Sequence, residues 1–344
     1  MGVLISLIAI AVLTLVAWLG GSIPALQYVF GVIIPYIAIA AFLIGVVVRI
    51  IRWARTPVPY KITTTAGQAK SLDFIRRNKL DSPSSTWGVI GRMALEVLFF
   101  RSLFRNTRAD IKDESKLVYG EDKWLWGFSL IFHWSFLIIF LRHFRFFTEP
   151  VPAFVPFLQG LDGFFEYGLP IVYVTDVLIM AGVTYLFFRR IFNDKMKYIS
   201  LPSDYFPLLL IAGIAISGIL LRYFFKTDLV GIKELTVGVL SFSPVAPAET
   251  ISPLFYIHFF FVCVLLIYFP MSKLVHMAGV FFSPTRNMAN DNRMKHYENP
   301  WDEEFRKKYF ALHYHTYDEY EDEFRKFMKA VDLPLEKEEE EDGK

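Results

Sequence analysis

The sequence predicts an all-α integral membrane protein, a six-helix transmembrane bundle with a loop and a C-terminal tail in the cytoplasm. Three observations carry that prediction. Of 344 residues, 54% are hydrophobic, mean hydropathy is +0.38, and the apolar residues gather in runs of about twenty, enough to cross a hydrocarbon core of about 30 Å. Lysine and arginine concentrate in alternate connections between those runs, as the positive-inside rule requires. Two of the runs each hold two histidines, His133 with His143 and His258 with His276, and ionisable side chains inside a span are costly enough to mark a functional site.

Residues 3–19, VLISLIAIAVLTLVAWL, form the first span; they lack a basic leader and run long for a signal peptide, so a retained helix is expected. Residues 1–27 thus make an extra N-terminal helix ahead of a membrane domain at 28–283, whose first span, 28–50, ends in RIIRWAR. Spans three to six are read at 124–147, 165–188, 206–225 and 254–283. Residues 49–123 carry fifteen Lys and Arg, and the turn after span four has Arg189, Arg190, Lys195 and Lys197. By contrast, 20–27 and 148–164 have none, and 226–250 has only Lys226 and Lys233. Six spans with both termini cytoplasmic satisfy every loop. Within the cytoplasmic loop at 51–123, TWGVIGRMALEVLFFRSLFRNT mixes apolar patches with Arg92, Glu96, Arg101 and Arg105, a pattern that suits a helix along the headgroups or one packed beneath the bundle.

In this topology spans three and six are antiparallel. Ten residues of helix separate His133 from His143 by about 15 Å, and eighteen separate His258 from His276 by about 27 Å. His133 then faces His276 near the cytoplasmic surface and His143 faces His258 near the outer one, the pairs about 21 Å apart. Two facing imidazoles can each give one nitrogen to an iron, so each pair is a candidate for holding a haem by both axial positions. A lone histidine in an apolar helix is ordinarily a packing residue, but two on each of two spans in mirror order point to ligation; a proton relay or a metal-lined path is the alternative. Cys263 is the sole cysteine, which excludes a disulfide, an iron–sulfur cluster and covalent haem attachment. No Walker A, Rossmann glycine motif or nucleophile elbow occurs, so no soluble catalytic site is expected, nor a nucleic-acid partner.

Other polar residues are open to two readings. Glu149, Asp162 and Glu166 lie in the outer loop close to His143, and Asp176 falls at mid-depth in span four, where it either accepts a proton or bonds a neighbouring hydroxyl. Arg142, Arg145 and Arg222, at outer helix ends, either pair with haem propionates or snorkel to the interface, and Lys273 has the same choice on the inner side. Pro270 is expected to kink span six. The tail, 284–344, carries Trp301, Phe305, Tyr309, Phe310, Tyr314, Tyr317, Tyr320, Phe324 and Phe327 at near-helical spacing among charges, a docking surface for a soluble partner. His313 and His315 read as surface residues, and EKEEEEDGK as a disordered acidic end.

FHWSFLIIFLRHF and FPMSKLVH, with the ten- and eighteen-residue histidine spacings, resemble the cytochrome b (gamma) subunit of respiratory nitrate reductase. The extra first span and KITTTAGQ, RMALEVLFFRSLFRNT and KWLWGFSLIFHW resemble a narrower group, the DsrM (HmeC) membrane cytochromes of the complex associated with dissimilatory sulfite reduction. The resemblance implies two haem b groups, His133 and His276 on the cytoplasmic-side iron and His143 and His258 on the outer one. It implies electron exchange with menaquinone and a cytoplasmic iron–sulfur partner similar to heterodisulfide reductase (DsrK-like), with further membrane and extracytoplasmic cytochrome c subunits alongside. The nitrate reductase subunit uses a lysine near the outer haem for quinol; no lysine stands in 148–170 here, and Glu166, Asp162 and Arg145 are the candidate quinone residues instead. The rival functions are a proton-coupled transporter using the histidines and Asp176, and a membrane scaffold without redox chemistry.

Overall fold

A computed structural model describes residues 1–57, 68–112, 116–165, 170–291 and 317–333. It is built from helices α1 (Gly2–Ser22), α2 (Pro24–Ala54, with one π turn at Val29–Ile33), α3 (Thr86–Phe99), α4 (Arg101–Phe104), α5 (Lys123–Phe147), α6 (Phe154–Asp162), α7 (Val174–Phe192), α8 (Asp194–Ile199), α9 (Pro202–Tyr223), α10 (Leu229–Leu240), α11 (Pro253–Tyr268) and, in the tail, α12 (Tyr317–Ala330). Two antiparallel hairpins, β1 (Thr107–Lys112) with β2 (Lys116–Glu121) and β3 (Gly163–Phe165) with β4 (Val172–Tyr173), interrupt the all-helical expectation.

Among the described residues, five helices are long and apolar enough to cross a membrane: α1, α2, α5, α9 and α11 with its continuation to Met271. The fourth predicted span, 165–188, is corrected. Its first residue pairs in β3, and the helix begins at Val174 with Asp176 in its first turn and Arg189 and Arg190 in its last. Asp176 therefore sits at a helix end and not at mid-depth. The 226–250 connection, read as a loop, contains α10, started by Asp228, whose carboxylate accepts the N–H groups of Val230 and Gly231 at 3.1 and 3.0 Å. That is the usual N-cap arrangement.

The helices pack in a chain of neighbours: α5 on α7, α7 on α9, α9 on α11 and α1, and α11 on α1 and α2. The most buried cluster joins α1, α2, α10 and α11 through Ala17, Phe30, Val32, Leu235, Val239, Phe255 and Tyr256. Gly21 makes this possible, since a Cβ there would lie 2.7 Å from the Tyr256 ring. α5, which carries His133 and His143, and α11, which carries His258, are not among the extensively packed pairs.

The last predicted span, 254–283, is a broken segment and not one kinked helix. Pro270 has no N–H to continue the ladder and its ring crowds the preceding turn. The chain passes through a 3-10 turn at Phe269–Met271, turns extended at Ser272 (φ −106°, ψ −180°) and restarts at Lys273. Ser272 closes the break on both sides: its hydroxyl donates to Phe269 O at 2.9 Å and accepts the Leu274 N–H at 3.2 Å. Gly45 of α2 lets Pro270 seat against it, for a Cβ at 45 would stand 2.6 Å from the proline ring.

Candidate functional site

The break and the close of α5 bring the four histidines together as two pairs. The rings of His133 and His276 have centroids 5.9 Å apart with planes crossed at 87°; those of His143 and His258 are 6.2 Å apart and near parallel, at 17°. Two metal–nitrogen bonds of about 2.0–2.1 Å plus two ring radii of about 1.1 Å put the centroids about 6.3 Å apart, so both separations suit two imidazoles on one central metal ion.

Each ring has one nitrogen already engaged. His133 Nδ1–H donates to Ser129 O and His143 Nδ1–H to Ile139 O, both at 2.7 Å, one helical turn back. His276 Nδ1–H donates to Lys273 O at 2.9 Å. His258 Nδ1 lies 3.0 Å from Ser217 Oγ and 3.1 Å from Ile214 O; Ser217 in turn donates to Gly213 O at 2.7 Å, leaving its lone pair for the histidine. These bonds fix the proton on Nδ1 and leave Nε2 as the free base in all four, the arrangement that orients a metal-binding imidazole. Gly218 leaves the His258 ring room, since a Cβ there would lie 3.1 Å from it.

The surroundings fit a haem as well. No group of three or more His, Cys, Asp or Glu side chains placed to hold a metal ion occurs among the described residues. The Nε–H groups of Arg142 and Arg222, close to the second pair, and of Arg49 are buried without a hydrogen-bond partner, as donors awaiting an anionic group would be.

Beside the first pair, the chain between α3 and α4 closes over His133. Trp134 and Trp126 donate their indole N–H to Leu98 O at 3.1 Å and Phe99 O at 2.7 Å, satisfying the last carbonyls of α3. Phe100 follows in the left-handed region (φ 51°), a cost of about 1–2 kcal/mol for a side chain of this size. Its ring sets its edge to His133 at 4.9 Å, and Phe132 does the same at 5.1 Å. The segment is thus clamped to the bundle rather than lying free along a headgroup layer. Behind it, Asp81, Arg92, Glu96, Arg101, Ser102 and Arg105 line a polar cavity of about 260 Å³. Burial works to raise the Asp81 carboxyl, but its hydrogen bonds to Arg101 and Arg105 and their charge outweigh that and hold it below the ordinary aspartate value of 3.8.

Beside the second pair lies a buried charge cluster. Arg142 forms ion pairs with Asp162 at 3.3 Å and Asp176 at 2.9 Å. Thr175 donates its N–H to Asp162 at 2.9 Å and its hydroxyl at 2.6 Å, and Tyr223 O–H donates to Asp176 at 2.7 Å. Arg142 and Arg222 sandwich the Tyr173 ring at 3.7 and 4.0 Å. Arg142 therefore does not snorkel to the interface: its guanidinium turns inward to two carboxylates. Asp162 is a buried anchor for the start of α7. Arg145 lies over Phe146 at 5.5 Å, Glu149 is paired with Lys233, and Lys273 bonds Asp204 at 2.7 Å. Glu166 lies outside the described residues. Ser217, Tyr173 and Tyr223 were missed by sequence reasoning; adjacency to Arg222 was the only signal Tyr223 gave.

Comparison with known proteins places these observations. The sequence model described as nitrate reductase gamma subunit matches residues 83–291, which hold all four histidines and the charge cluster but neither α1 nor α2. A protein of Archaeoglobus fulgidus, named Hdr-like menaquinol oxidoreductase cytochrome b-like subunit, is 49% identical over 280 residues, 80% of this chain and 83% of its own length. A protein of the same name from Archaeoglobus profundus is 46% identical over 275 residues, 78% of this chain and 81% of its own. The chain is a multi-pass membrane protein and belongs to the nitrate reductase gamma subunit family.

Proposed function

We propose that this chain is the dihaem b membrane subunit of a menaquinol-oxidising complex. One observation carries the reading above the others: four histidines meet as two pairs at metal-spanning distances, and every Nδ1 is bonded so that every Nε2 is free. His133 and His276 hold the inner haem, and His143 and His258 the outer. Haems so held supply one-electron carriers at two depths of the membrane, with potentials tuned by hydrogen bonds and burial.

Six spans, with α7 as the fourth and both termini cytoplasmic, is the topology that the charge distribution supports; the extra N-terminal helix and the tail flank the haem domain. Menaquinone exchanges electrons at the outer end, an assignment supported by the names of the Archaeoglobus relatives. The partner is a cytoplasmic iron–sulfur subunit of the heterodisulfide reductase type, received against the Phe100 face and the tail. Within the family, the sequence motifs support the DsrM (HmeC) group of sulfite-reduction complexes, with further membrane and cytochrome c subunits. The polar residues that bind an outer quinone are now sought among Asp176, Tyr223 and Arg222 besides Glu166 and Arg145.

An optical spectrum of the purified chain tests the proposal. Low-spin b-type bands accounting for two haems per chain are expected. A colourless protein would contradict it and return the histidines to a relay or scaffold role.

A further inference from the structure

The cluster beside His143 holds more charge than structural pairing needs. Asp162 and Asp176 come from α6 and α7, yet one guanidinium, Arg142 of α5, serves both, at 3.3 and 2.9 Å. Arg222 of α9 gives its own hydrogen bond to Ile171 O at 2.9 Å. The two carboxylates are also held differently. Asp162 is held by Arg142 and by two donors of Thr175. Asp176 has Arg142 on one oxygen and, on the other, the hydroxyl of Tyr223 at 2.7 Å, a donor able to exchange its proton. Tyr223 is steadied by the Tyr173 N–H at 3.1 Å, which its oxygen accepts. Asp176 keeps 13% of its side chain exposed, against 5% for Asp162. Next to Asp176 or Tyr223 in the chain, or on the paired strands, stand exposed apolar side chains, Val177, Phe224, Phe164 and Phe165, a surface suited to an isoprenoid quinol.

We propose that Asp176, reached through Tyr223, is the proton acceptor for quinol oxidised at the outer end. The inference rests on the reading of His143 and His258 as haem ligands and of this end as the quinol side. A quinol oxidised here breaks two O–H bonds and gives up two electrons, one at a time; the ferric haem that His143 and His258 would hold would be the oxidant. As a quinol proton reaches the Tyr223 oxygen, Tyr223 passes its own proton to Asp176, so the phenol stays neutral. Asp176 releases that proton to outside water across its exposed edge and takes the second by the same route. Arg142 stays paired with Asp162 throughout, so the site is not left with an unpaired buried cation when Asp176 is neutral. The groups facing Asp176 are Arg142 from α5, Asp162 from α6, Thr175 within α7, Tyr173 from β4, and Arg222 and Tyr223 from α9; His143 is the nearest candidate haem ligand.

The test uses the full-length, haem-loaded chain and a soluble menaquinol analogue. Asp176→Asn is expected to slow haem reduction by the analogue about a hundredfold, within the range of a lost general base, and to flatten its pH dependence. Tyr223→Phe slows it in the same direction, Asp176→Glu restores much of the rate, and dithionite reduces all variants as it does the wild type. Infrared difference spectra taken during turnover should show a carboxylic C=O band that is absent from Asp176→Asn. A wild-type rate and an unchanged band in that variant overturn the proposal. So does loss of haem from Asp176→Asn alongside a wild-type rate in Tyr223→Phe, which would mark a purely structural ion pair. A wild-type protein that dithionite reduces and the menaquinol analogue does not would overturn the quinol reading beneath it as well.

Discussion

At the scale of single residues, the proposed ligation depends on what each histidine does with the nitrogen it would keep from iron. Three bond backbone carbonyls, which no substitution at a neighbouring side chain removes; His258 alone also leans on a side chain, Ser217. Ser217→Ala leaves Ile214 O as the sole partner at 3.1 Å. It is expected to weaken retention of the outer haem about tenfold, the low end for loss of an outer-shell partner, and to shift that haem's midpoint potential alone. Haem content and a redox titration check this; a shift confined to the inner haem would contradict the pairing. Asp81 gives a second prediction at this scale. Its carboxyl is held below 3.8 in the folded chain, so its pairing with Arg101 and Arg105 stabilises the region fully above the ordinary aspartate value and is lost as pH falls through the depressed one. The environment of Trp126, which is bonded to α3, should therefore change by fluorescence only on acidification below about pH 4, and that acid transition should vanish in Asp81→Asn.

At the scale of elements, the legible features were those with a period or a charge rule behind them. Runs of about twenty apolar residues announce α1, α2, α5, α9 and α11, and the mirror order of the histidines announces which will face which. The rest depended on contacts between distant parts of the chain. Pro270 signals a disturbance, but whether a proline kinks a helix or ends it turns on what packs there, and Gly45 with Ser272 made this one an end. The start of α7 differs from the expected 165 because Phe165, Val172 and Tyr173 are as apolar as a span but pair as strands instead. The carboxylate partners of Arg142 were not legible because the one 20 residues ahead and the one 34 ahead had to be brought to it by folding. The break makes its own prediction. Gly45→Val drives a side chain into the Pro270 ring, 2.6 Å from where its Cβ would stand, and should push the Lys273–Phe282 segment off α2. Loss of the inner haem with the outer one retained is the expected result, read from the two steps of a redox titration; loss of the outer haem first would show that the break does not position His276.

At the scale of the whole molecule, two surfaces are candidates to receive the soluble partner proposed above. One is the Phe100 face, clamped to α5 by two tryptophans. The other is α12, whose Tyr320, Phe324 and Phe327 are exposed on one side of a helix otherwise covered in charge. Deleting residues 317–344 touches neither the bundle nor a histidine. The haem spectrum should persist while co-purification of the iron–sulfur subunit falls. Undiminished co-purification would leave the Phe100 face as the docking site.

The central claim is that the four histidines work as two pairs, each joining one histidine of α5 to one from the broken segment 254–283. It is tested most directly by redox titration of four single alanine variants. His133→Ala and His276→Ala should each abolish the same step, and His143→Ala and His258→Ala should each abolish the other. A titration in which His133→Ala and His143→Ala lose one step together, or in which His133→Ala and His258→Ala do, would contradict it.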